Sequence, residues 1–159
     1  MPDFIQGSQL RRLALGSQVI NGPFTPPASG SSSTLFTVAG GAVLVTSLLG
    51  RVTTALSGTT GAISLGSHPT VGTDEPAGIA TAGVVGGAEI GTWVGPVAAS
   101  TGLAGALTAN IVAGNTVYAT APFVVNAGTI EVKTTVATMT GAITWYLTYV
   151  PLDTGASVS

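Results

Sequence analysis

Two runs of strict alternation near the C-terminus constrain this chain more than any other feature. From Thr129 to Thr138, Ile130, Val132, Thr134 and Val136 fall on one side, and Glu131, Lys133 and Thr135 on the other. After Met139, Thr140 and Gly141 the pattern resumes. Ile143, Trp145, Leu147 and Tyr149 share one side; Thr144, Tyr146 and Thr148 lie opposite. Side chains of a strand alternate with period two, so each run predicts a strand with one buried face. Gly141 suits a tight reversal, and the two runs are expected to pair as a hairpin. In this register Trp145 and Tyr149 point inward and Tyr146 points outward. The outward tyrosine, set among threonines, is a candidate packing point against a neighbouring subunit.

The remainder of the body is broken into short apolar runs by glycine, proline and serine. Strands are expected at residues 35–39, at 42–49 with continuation through a bulge at Gly50 to residue 56, and at 62–65. Further strands are expected at 79–85, 88–94, 107–112 and 116–120, with residues 66–78 a loop and 157–159 a tail. Residues 96–106 admit either a short helix or a loop. Many short strands with frequent turn signals predict an all-β fold, an antiparallel β-sandwich of jelly-roll type. A barrel of other topology is the alternative.

Residues 1–33 differ from this body. Phe4, Ile5, Leu10, Leu13 and Leu15 are irregularly spaced, and the tract from Asn21 to Ser33 is rich in proline, glycine and serine. That tract is expected to hold neither a ladder nor a helix. The division is therefore an N-terminal arm with a Pro/Ser-rich linker (1–33) and a β-sandwich domain (34–159). The arm's apolar residues, with Arg11 and Arg12, are the candidate partner contacts.

Charge narrows the function. Charged residues make up 6% of the 159 residues, against about 25% in an ordinary soluble domain. Ten such residues cannot cover a monomer's surface in the usual way, so burial against other chains is expected. A net charge of −2 with one adjacent basic pair, Arg11-Arg12, argues against nucleic-acid binding. Without cysteine there is no disulfide, thiolate metal site or cysteine nucleophile. The mean hydropathy of +0.58 raises a membrane reading. Pro96 and Pro122 interrupt the longest charge-free run, and residues 44–49 fall short of a span of about 20 residues. Nor does the start of the chain read as a signal peptide.

Motifs with catalytic precedent are few. Asp153-Thr154-Gly155-Ala156 matches the aspartic-protease signature, whose chemistry needs two adjacent carboxylates. Only four residues follow Gly155, and a polar turn closing the last strand is the expected reading. His68, the single histidine, would need Asp74 or Asp153 and a nucleophile to form a triad, but no Gly-x-Ser-x-Gly elbow is present. Asp74-Glu75 offers too few carboxylates at set spacing for a tight Ca²⁺ site. Gly83-Val84-Val85-Gly86-Gly87 lacks the Lys-Ser/Thr ending of a phosphate loop. No cofactor and no enzymatic activity are expected.

The ending Gly-Ala-Ile-Thr-Trp-Tyr-Leu-Thr-Tyr-Val-Pro-Leu-Asp (141–153), on a small, cysteine-free, charge-poor β chain with an arm, resembles tailed-bacteriophage virion proteins. It is most similar to small head proteins that decorate or cement the capsid. The resemblance implies a structural role on the outer capsid surface after synthesis in the host cytoplasm. It implies binding to the major capsid protein and to neighbouring subunits, as a trimer. A tail, fibre or baseplate component with a receptor-binding role is the alternative.

Overall fold

The computed structural model describes residues 16–96, 105–109 and 121–159. Within them the chain forms eleven strands: β1 (Ser17–Phe24), β2 (Ser32–Ala39), β3 (Val43–Thr54), β4 (Ala62–Pro69), β5 (Glu75–Val84), β6 (Trp93–Pro96), β7 (Gly105–Ala109), β8 (Phe123–Val125), β9 (Gly128–Thr134), β10 (Ala142–Pro151) and β11 (Ser157–Val158). One sheet, called A here, runs β1-β10-β3-β6-β7, with β8 also on β3; the other, B, runs β5-β4-β9-β2-β11. Pairing within each sheet is antiparallel, and a short parallel contact between β5 and β7 joins them along one side. Two antiparallel sheets enclosing one core make this an all-β fold of β-sandwich character.

Alternation explains what fills that core. Trp145, Leu147, Val45, Leu48 and Val52 project inward from sheet A, and Phe36, Ile63, Leu65, Ile130 and Val132 from sheet B; together they form a single buried cluster. The inward register expected for Ile143, Trp145, Leu147 and Tyr149 holds, since all four are buried. Gly50 lies opposite Trp145 on β3, where a Cβ would come within about 3 Å of the indole. The large ring takes the space that its neighbour leaves empty.

The expected hairpin does not form. β9 pairs with β2 and β4, whereas β10 pairs with β1 and β3 in the other sheet. Residues 135–141 cross between sheets, so Val136 is exposed instead of continuing the buried face. The supposed linker is also structured. Asn21 to Phe24 belong to β1 on the edge of β10, while Ser32 and Ser33 begin β2. Between them, Gly30 N–H donates to the Thr134 carbonyl and Thr134 N–H to the Ser31 carbonyl. The edge strand β1, a crossing turn and the start of β2, rather than a free tether, use the glycines and prolines here.

Other boundaries shift as well. β3 is continuous through Gly50, and its bulges against β10 fall at Thr46, between the pairs Ser47–Thr148 and Val45–Tyr149, and at Thr53, between Val52–Ile143 and Thr54–Ala142. Strand structure extends into the expected loop at 66–78 from both ends, leaving residues 70–74. Residues 88–92 form turns before β6. The expected C-terminal tail contributes β11 and buries Ala156 and Val158. The strand expected at 107–112 is described only through 109, as part of β7. The strand at 116–120, most of 96–106, and Phe4, Ile5, Leu10, Arg11, Arg12, Leu13 and Leu15 lie outside the described residues. No described helix is long and apolar enough to cross a membrane.

Candidate functional site

The two sheets present contrasting outer faces, and cross-strand register shows how each is built. On sheet A four rows cross the strands. Thr144, Arg51 and Trp93 form one, followed by Ile20, Tyr146 and Leu49. Next come Gln18, Thr148 and Ser47, then Val150, Leu44 and Val124. Arg51 is the only charged residue in these rows. Ile20 is 57% exposed and Val124 56%, while Tyr146 and Leu49 are half-buried. Tyr146 does point outward, as its place in the alternation requires. Its ring meets Trp93 with centroids 5.9 Å apart and planes inclined at 48°, a tilted aromatic contact. Sequence reading singled out Tyr146 but missed Ile20, Leu49 and Trp93, which join it only through strand pairing.

Sheet B is polar outside. Its rows are Ser32, Lys133 and Ser64, the last buried; Thr34, Glu131 and Gly66; and Thr37, Thr129 and His68. Gly66 carries no side chain to fill the space beside Glu131, and Gly30 in the crossing turn adds none. An open depression of about 320 Å³ results, walled by Ser32, Ser67, His68, Asp74, Glu131 and Lys133. The carboxylates there are fixed by neighbours. His68 Nδ1 pairs with Asp74 Oδ1 at 2.6 Å, tying the β4–β5 loop to β4. Thr129 Oγ1 donates to Glu131 Oε1 at 3.2 Å. Glu131 and Lys133 stand on β9, a rigid support, and Asp74 in the loop is tied to β4 through His68.

The motif residues have local explanations. Asp153 Oδ2 accepts the Ala42 N–H at 2.7 Å, and the Asp153 carbonyl accepts Ala156 N–H at 3.1 Å. The carboxylate thus braces the turn after β10 against the β2–β3 connection. Of the two carboxylates that the sequence offers His68, Asp74 is the one brought to it. A histidine–carboxylate pair is half of what nucleophilic catalysis uses; here it also anchors a loop. Gly83 and Val84 lie in β5, and the N–H groups of Val85 and Gly86 donate to the Gly61 carbonyl. Among the described residues no group of three or more His, Cys, Asp or Glu side chains is placed to hold a metal.

Comparison with protein-family models, curated proteins and solved structures gave no match for this chain.

Proposed function

We propose that this chain is a non-enzymatic structural subunit of a tailed-phage virion, a jelly roll that decorates and stabilises the capsid as a homo-oligomer, with three subunits. The observation that carries this reading is the outer face of sheet A: four cross-strand rows of apolar and neutral residues with one charge among them. A face with this composition loses little on leaving water and gains from burial of Ile20, Val124 and the Trp93–Tyr146 pair. A second copy, itself poor in charge, is the occupant that matches it. The major capsid protein and the arm bearing Phe4 to Leu15 belong to the same reading, with the arm reaching a neighbour.

Strand order supports the jelly-roll part. Numbering the principal strands one to eight, with β9 seventh and β10 eighth, the sheets read 1-8-3-6 and 2-7-4-5. That order follows from two nested Greek keys, an architecture used in viral capsid proteins and in lectins. A tail, fibre or baseplate location is the second reading, favoured by the polar depression on sheet B. Phage heads lacking the protein, mixed with the purified chain and imaged, separate the two. Density where major capsid subunits meet is expected; density on tails alone, or none on heads, overturns the capsid assignment.

A further inference from the structure

We infer that the depression on the outer face of sheet B is a binding site for a polyhydroxylated ligand of saccharide type. The first ground is where this chain places its scarce ionisable groups. Its only lysine and only histidine, with two of its six acidic residues, wall one depression of about 320 Å³. Solubility would be served better by spreading those charges over the surface.

Chemistry narrows the ligand. Every wall residue is glycine, serine or ionisable, so a lipid or an aromatic molecule would find no apolar side chain to pack against. One ammonium facing two carboxylates disfavours phosphate and nucleic acid. The same ammonium beside the carboxylates opposes a bare divalent cation. Sugar hydroxyls each donate and accept, and the walls offer both roles. Asp74 and Glu131 accept, Lys133 donates, and Ser32 does either. The acceptors are held in advance, Asp74 by His68 at 2.6 Å and Glu131 by Thr129 at 3.2 Å. Binding therefore immobilises few side chains, which lowers its entropic cost. The inference stands on this geometry and does not depend on the virion assignment.

Lys133 makes the test direct, because it is the only lysine in the chain. Full-length protein is first applied to an array of mono- and oligosaccharides. The sugars that bind, together with glucose, galactose, mannose and N-acetylglucosamine, are then tested for protection of Lys133 against amine acetylation, read by peptide mass spectrometry. Glycine serves as a zwitterionic control. At least one saccharide should slow acetylation of Lys133, and Glu131→Gln and Asp74→Asn should each weaken its binding by about tenfold. Protection by glycine but no sugar, protection by none of them, or sugar binding unchanged in both variants would each overturn the proposal. The acetylation arm uses the unaltered chain, so its outcome does not depend on how the variants fold.

Discussion

At the scale of single residues, Trp145 holds the interior. Its side chain is fully buried between the sheets, and Gly50 opposite leaves room for it. Trp145→Ala should destabilise the fold by about 3–5 kcal/mol, a large share of the roughly 5–15 kcal/mol that hold a domain together. Thermal unfolding checks this; a midpoint within a degree or two of the parent would contradict the packing. Thr134 makes the opposite prediction. It is fully buried on β9, and its hydroxyl has no hydrogen-bond partner among the described residues. Burying an unpaired hydroxyl costs about 1–3 kcal/mol. Thr134→Val, nearly the same shape without the hydroxyl, should therefore raise the unfolding midpoint. A lower midpoint would mean that the hydroxyl is satisfied.

At the scale of elements, β1 separates two deletions. It pairs with β10 along Ser17–Tyr149 through Asn21–Trp145, and Val19 and Phe24 pack against the core. Asn21 also donates from its side-chain amide to the Leu35 carbonyl, tying β1 to the other sheet. Removing residues 1–15 should leave the unfolding midpoint close to that of the parent. Removing residues 1–24 strips the ladder from β10 and should lower the midpoint by at least about 5 °C. Equal midpoints for the two truncations would show that β1 contributes nothing. Which faces are buried was legible in the sequence, because alternation states it directly for β9 and β10. Their partners were not: period two fixes a face and is silent about the neighbouring strand. The Met-Thr-Gly connection also lacks the two-residue turn chemistry that would have identified a true hairpin. Likewise Glu131 and Lys133 could be read as outward, but their meeting with His68 and Asp74 depends on the β4–β9 register.

At the scale of the whole molecule, the two outer faces contrast in composition. Sheet B exposes hydroxyls and carries four ionisable side chains at the depression, whereas sheet A exposes Ile20, Trp93, Val124 and Val150 around a single arginine. We propose that sheet A's outer face is covered by another copy of the chain. Placing a charge in the middle of a contact leaves it without water or a partner, a cost of several kcal/mol. At the exposed Ile20 position a charge leaves the isolated fold intact. The measurement is therefore sedimentation of the full-length protein and its Ile20→Lys variant at micromolar concentration. A multiple of the 15.5 kDa chain mass is expected for the parent, with three copies the expected number, and a folded monomer for the variant. A parent that sediments as a stable monomer, or a variant that assembles as the parent does, would contradict it.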